Sequence, residues 1–171
     1  VAADQEFGSC LEINKVEDTT RIRFMGETPI LPGTYLRISA RVKAISGPRP
    51  TVRIGGWAGD GARNHVTGLD EMGDNVALPD YGDVVEVSAI VGTGNRRGVD
   101  MIWGAAPIYG HFGIDLIGTN GGAVRIESLR IEDVTSVFLR EMMDIVDVRD
   151  YGAVGNGTTD DRAAFAAADN A

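Results

Sequence analysis

The stretch Tyr35-Leu-Arg-Ile-Ser-Ala-Arg-Val-Lys-Ala-Ile45 alternates without a break: Leu36, Ile38, Ala40, Val42 and Ala44 fall on one side, and Tyr35, Arg37, Ser39, Arg41 and Lys43 on the other. A run of this length at period two predicts a β-strand with one face on a core and the other on water or a ligand. Its borders are turn chemistry. Pro32-Gly33 before it reads as a type II turn, and Ser46-Gly-Pro-Arg-Pro50 closes it. Thr51-Val-Arg-Ile-Gly55 then resumes the alternation as a neighbouring strand, so the outward faces are expected to bring Arg37, Arg41 and Arg53 into one region.

The same reading extends in both directions. Upstream, residues 1–8 are weakly patterned and read as a frayed edge or remnant, Leu11 and Ile13 alternate, and Arg21-Ile-Arg-Phe-Met25 alternates again. Downstream, Val85, Val87, Ala89 and Val91 mark another strand, residues 99–103 a short one, and Phe112, Ile114 and Leu116 the next inward set. In Ala123-Val-Arg-Ile-Glu-Ser-Leu-Arg-Ile-Glu-Asp133 the parity flips between Ile126 and Leu129, which predicts either a bulge at Glu127-Ser128 or a change of sheet. Many short strands at turn-rich spacing, with no amphipathic helix before residue 134, predict an all-β fold built as a two-sheet sandwich.

Composition narrows the function classes. A net charge of -9 and a sequence pI near 4.6 oppose nucleic acid and anionic membranes as partners, since both are repelled at long range. No apolar run approaches the ~18 residues of a membrane-inserting helix, and no basic-then-apolar signal segment opens the sequence. Cys10 is alone, which leaves no internal disulfide and predicts a buried free thiol.

Residues 56–83 form a long polar stretch, of the kind that is usually functional, with Val76-Ala-Leu78 as a short strand inside it. Flat aromatic rings with planar polar donors at their rim suit pyranose rings and their hydroxyls. Trp57, Tyr81 and Tyr109 are the candidate platforms, with Arg53, Arg63, His65, Arg96 and Arg97 as candidate donors. Arginine forks also suit uronate or sulfate groups. Trp103 reads as core. His65 and His111 lack a metal spacing, and no pair of acids stands out as catalytic. Asp60, Asp70, Asp74, Asp80 and Asp83 crowd the long loop, and a pair of them offers calcium a site; no other cofactor is implied. The Gly-rich runs Gly55-Gly-Trp-Ala-Gly-Asp-Gly61 and Gly152-Ala-Val-Gly-Asn-Gly157 lack the lysine of a phosphate-binding loop.

After a strongly apolar segment at 135–149 comes Asp150-Tyr-Gly-Ala-Val-Gly-Asn-Gly-Thr-Thr-Asp-Asp161 and an Ala-rich helix. Thr158 or Thr159 is expected to cap that helix, with Asp160 and Asp161 in its first turn facing the positive helix end. This segment resembles the entry of the pectate-lyase-like right-handed parallel β-helices, a family of polysaccharide lyases, glycoside hydrolases and phage tail spikes, often trimeric. The residue-35, residue-112 and residue-124 strands together resemble the jelly-roll sandwiches of carbohydrate-binding modules. The resemblances imply a jelly-roll-like sandwich over 5–134, an apolar linker or oligomerisation segment over 135–149, and the start of a β-helix over 150–171. They further imply a non-catalytic glycan-binding accessory domain of a larger polysaccharide-binding or polysaccharide-degrading protein, any catalysis lying beyond residue 171. The alternative they leave is an anchor or collar domain of a trimeric phage or particle spike, docking or trimerising through 135–149. Either reading suits an extracellular or particle-associated setting, which no address segment in the sequence specifies.

Overall fold

The periodic stretch at 35–45 becomes the strand on which the larger sheet is centred, in a computed structural model that describes residues 1–143 and 145–170, without the side chain of Asp150. In chain order the strands are β1 (Ala2–Asp4), β2 (Gly8–Asn14), β3 (Thr19–Arg23), β4 (Thr28–Pro29), β5 (Tyr35–Ser46), β6 (Thr51–Gly55) and β7 (Ala58–Gly59). Then follow β8 (Val76–Ala77), β9 (Val85–Gly92), β10 (Met101–Ile102), β11 (Tyr109–Gly110), β12 (Gly113–Ile117) and β13 (Ala123–Asp133). One layer is a six-stranded sheet ordered β1-β2-β13-β5-β9-β10; the other is a four-stranded sheet ordered β3-β12-β6-β8. A three-stranded set, β4-β11-β7, prolongs the second layer, because Trp57 and His111 exchange both backbone hydrogen bonds at 3.0 Å between the two sets.

Successive long strands change layers. β2, β5, β9 and β13 lie in the six-stranded sheet, and β3, β6 and β12 in the other, giving a jelly-roll-like β-sandwich. Leu36, Ile38, Ala40, Val42 and Ala44 face inward as the alternation requires, and meet Val52, Ile54, Phe112, Ile114 and Leu116 of the opposite layer in one core. Each such side chain withdrawn from water contributes about 1.5–3 kcal/mol before entropy is counted. Trp103 is buried as expected, stacks on Phe112 with ring centroids 5.2 Å apart, and donates its Nε1–H to the Asp70 carbonyl at 2.9 Å. Cys10 is also buried.

The parity flip in β13 is a bulge. Pairing with β5 continues on both sides of a register shift between Ile126 and Leu129, so the strand stays in its sheet.

Two expectations are corrected on the outer face of the six-stranded sheet. Residues 1–8 are not a frayed remnant: β1 pairs with β2, and the Asp4 carboxylate accepts from Lys43 at 2.8 Å and Arg125 at 2.7 Å. Phe7 lies buried beneath the Lys43 ammonium, 4.5 Å from its ring centroid. The outward side of β5 is therefore partly covered by chain. Nor does Arg53 join Arg37 and Arg41. Its strand, β6, belongs to the other layer, whereas Arg41 pairs with Glu127 at 2.8 Å.

Lys15 closes one end of the sandwich. Its side chain is 1% exposed, and its ammonium donates to the Glu17 carbonyl, to the Gly118 carbonyl at 2.5 Å and to Asn120 Oδ1 at 2.9 Å. Lys15 N–H donates to the Gly122 carbonyl, and the Gly121 N–H returns a bond to the Lys15 carbonyl, each at 2.8 Å.

The chain divides into two units, Val1–Thr135 and Ser136–Ala171. The second holds α1 (Leu139–Met142), a 3-10 turn at Val148–Tyr151 and α2 (Arg162–Asp169), which packs on that turn. α2 buries Ala164 and Ala168, one helical turn apart, while Phe165 is 57% exposed. Its start differs from expectation. Asp161 is the cap position, and neither threonine caps. The Asp161 carboxylate instead accepts from the N–H groups of Val154 and Gly155, and Asn156 Oδ1 gathers those of Thr158 and Thr159. The loop closes on its own backbone amides, so the threonine side chains are not needed there. Asp160 takes the Arg162 N–H and guanidinium. The part of the apolar-segment reading that falls on Asp144, and the final Ala171 of the helix segment, lie outside the described residues.

Candidate functional site

Antiparallel pairing puts directly opposed side chains on the same face. Along β6 and its continuation the residues facing away from the core are Arg53, Gly55 and Trp57, and along β11 and β12 they are Tyr109, His111, Gly113 and Asp115. Arg53 is opposite Asp115, Gly55 opposite Gly113, and on the other flank Arg21 of β3 is opposite Asp115. Their outward face forms the floor of a cleft of about 540 Å³. Trp57, His65 and His111 line one end, Arg21, Arg23 and Asp115 the other; Met25 flanks one side and Leu69, Glu71 and Met72 the other. Four residues of strand separate the two ends, roughly 13 Å at ~3.3 Å per residue.

The aromatic end is built by a tight hairpin in the long polar stretch. The Asp60 carboxylate accepts from the N–H groups of Ala62 and Asn64, with Arg63 in the left-handed region at φ 65° between them. Those bonds, led by the one from Asn64, hold the Asp60 carboxyl below the usual carboxylate range. The hairpin returns His65 beside Gly59, where its ring stacks on Trp57 at 5.1 Å and 14°. His111 lies 5.3 Å from Trp57, and buried Tyr109 backs the pair at 6.1 Å. Gly59 makes room for this packing, since a Cβ there would come within 2.2 Å of the Tyr109 ring. Glu71 accepts from His65 Nε2 and from the Ala58 N–H, both at 2.8 Å, and so locks the histidine in place.

The charged end centres on Asp115, whose side chain is 1% exposed. One oxygen meets Arg23 Nη2 at 2.8 Å and the other accepts from Arg53 Nε at 3.2 Å. Arg23 Nη1 also donates to the carbonyls of Ile22 and Ile114. Gly55 leaves space above this group: a Cβ there would come within 2.4 Å of the Arg23 guanidinium.

Of the residues singled out in the sequence, Trp57, His65 and Tyr109 come together, and Arg53 sits behind Asp115 at the far end of the same face. Arg63 is on the hairpin and pairs with Glu27 at 3.3 Å. Tyr81 lies elsewhere, 57% exposed beside the end of β5, with its hydroxyl donating to the Gly47 carbonyl. Arg96 and Arg97 lie in the loop between β9 and β10, at the edge of the six-stranded sheet. His111, Glu71, Arg21, Arg23 and Asp115 were not among those candidates. The alternation of 109, 111, 113 and 115 against inward Phe112, Ile114 and Leu116 is the signal that places His111 and Asp115 on this face. Among the described residues no group of three or more His, Cys, Asp and Glu side chains is placed to hold a metal ion. Asp60 is engaged in its hairpin, and Asp80 pairs with Arg49 at 2.8 Å.

No protein-family model matches the sequence, and no curated protein matches it. Similar solved structures include the CBM22-1 xylan-binding domain of Paenibacillus barcinonensis Xyn10C, with a TM-score of 0.44 and 12% identity over 61% of this chain and 58% of that one. The C-terminal domain of the sugar-binding protein EclA gives 0.45 and 13% over 77% and 81%. The enzymatically active domain of tailspike protein 4 of bacteriophage CBA120 gives 0.45 and 13% over 78% of this chain and 17% of that one. The chain thus spans little more than half of the xylan-binding domain (58%) and a small part of the tailspike chain (17%). All three likenesses are distant in sequence and in backbone.

Proposed function

We propose that the sandwich is a non-catalytic glycan-binding domain whose ligand lies along the cleft over β3, β12 and β6. The observation that carries this reading is the Trp57 platform. A half-buried indole, stacked with His65 and flanked by His111, offers a contiguous ring surface inside a cleft whose remaining wall combines apolar Leu69 and two methionines with charged side chains. Sugar rings present apolar C–H faces and a rim of hydroxyls, which is the complement of such a wall. The two carboxylates of the cleft are both engaged, Asp115 by two arginines and Glu71 by His65 and a backbone amide. Neither is set up to protonate a leaving group or activate water, which favours binding over hydrolysis.

A glycan array followed by affinity electrophoresis tests this. Trp57→Ala should abolish retardation by the polysaccharides that retard the parent protein, and Tyr81→Ala should leave it unchanged. Equal retardation of the parent protein and Trp57→Ala would remove the cleft from the account.

The second unit supports a larger setting for this domain. We read it as the entry segment of a parallel β-helix, so that the sandwich is an accessory of a polysaccharide-binding or polysaccharide-degrading protein. The observation behind a spike-anchor reading is specific: Val137, Leu139, Met142, Met143, Ile145 and Val146 are exposed within ten residues of chain, apolar side chains suited to burial in a trimer or against a docking partner.

A further inference from the structure

The charged end of the cleft is out of balance. Arg23 and Arg53 pair with the single carboxylate of Asp115, Arg21 stands opposite it in the strand register, and Glu71 is the other acid lining the cleft. Three guanidinium groups against two carboxylates leave one positive charge, in a chain whose net charge is -9. Asp115 spends one oxygen on Arg23 and the other on Arg53, and those two arginine side chains are only 15% and 18% exposed. Arg21 is exposed, lines the cleft and stands directly opposite Asp115, yet forms no ion pair among the described residues. Like charges packed together cost energy unless an anion joins them, and a guanidinium fork matches a planar carboxylate.

Resting on the glycan-binding reading, we propose that the cleft selects an acidic glycan: sugar rings lie on Trp57 and a uronate carboxylate binds Arg21, neutralising the excess positive charge beside Asp115. The span of roughly 13 Å between the two ends, at ~3.3 Å per strand residue, requires an oligosaccharide rather than a single sugar. The negative field of the whole chain opposes long, densely charged polyanions, so charge alone does not secure binding and selection depends on both ends of the cleft being filled.

Titration calorimetry of the full chain with oligogalacturonates, the same oligomers fully methyl-esterified, and dextran sulfate tests the proposal. Esterification removes the charge and keeps the rings. The acid form should bind about tenfold more tightly than the ester, the worth of one charge-assisted pair. Arg21→Gln should erase that preference while leaving ester binding in place, and Arg21→Lys should restore part of it. Equal affinity for acid and ester, a preference that survives Arg21→Gln, tighter binding of dextran sulfate than of oligogalacturonate, or no binding of any of the three would each overturn the assignment. The two readings fail separately. If ester binding is lost in Trp57→Ala but Arg21→Gln changes nothing, only the acid selection falls; if Trp57→Ala binds all ligands normally, the cleft itself is wrong.

Discussion

Asp4 fastens a terminal strand to a sheet with one carboxylate. It accepts from Lys43 and Arg125 and from the N–H groups of Glu6 and Phe7. The Lys43 bond, then that from Arg125, holds its carboxyl well below the usual carboxylate range, and the Lys43 ammonium is raised in return. Because the folded-state value is depressed, the contribution to stability is full above the ordinary value of 3.8 and fades as the pH falls below it. Asp4→Asn should therefore lower the urea unfolding midpoint at pH 7, and the gap from the parent protein should narrow at pH 3. A gap of equal size at both pH values would show that the charge is not what holds β1 down.

At the scale of strands, β12 and β3 approach so closely that a side chain between them is excluded. A Cβ on Gly113 would lie 1.9 Å from the Ile22 carbonyl oxygen, which is backbone and cannot turn aside. Gly113→Ala should cost about 2 kcal/mol or more in chemical denaturation, since β3 must move. Gly61→Ala, whose nearest neighbour is Ile108 Cδ1 at 3.6 Å, should be tolerated, and similar losses for both would refute the argument. Much of this level was legible beforehand. The alternation of β5, the turn in which Thr34 N–H donates to the Leu31 carbonyl with Gly33 at φ 86°, the short β8 and the bulge in β13 each follow from local residue order. What alternation does not encode is the layer to which a strand belongs. Arg53 and Arg41 both point away from a core, but from opposite sides of it. The site divides in the same way: Trp57 and Tyr109 announce themselves by ring chemistry and His65 as a polar donor, whereas Arg21 and Arg23 come to face Asp115 only through the register of two strands distant in sequence.

For the molecule as a whole, the sandwich and the apolar surface of the second unit predict different solution behaviour. A chain ending at Thr135 keeps the Thr135 N–H bond to Asp133 and the Thr135 hydroxyl that accepts the Tyr35 N–H, so its closing strand remains anchored. It should sediment as a monomer, while the full chain self-associates through its exposed Val137, Leu139, Met142, Met143, Ile145 and Val146; association of both to the same degree would place the contact in the sandwich instead. Lys15 carries a different consequence. Its ammonium, held by two carbonyls and an amide oxygen, does for the 118–122 turn what a coordinated metal ion does elsewhere. A metal's contribution rises and falls with the free concentration of the ion. A cation tethered to the chain needs no free ion to fill its place, so these contacts do not vary with metal concentration or with the presence of a chelator.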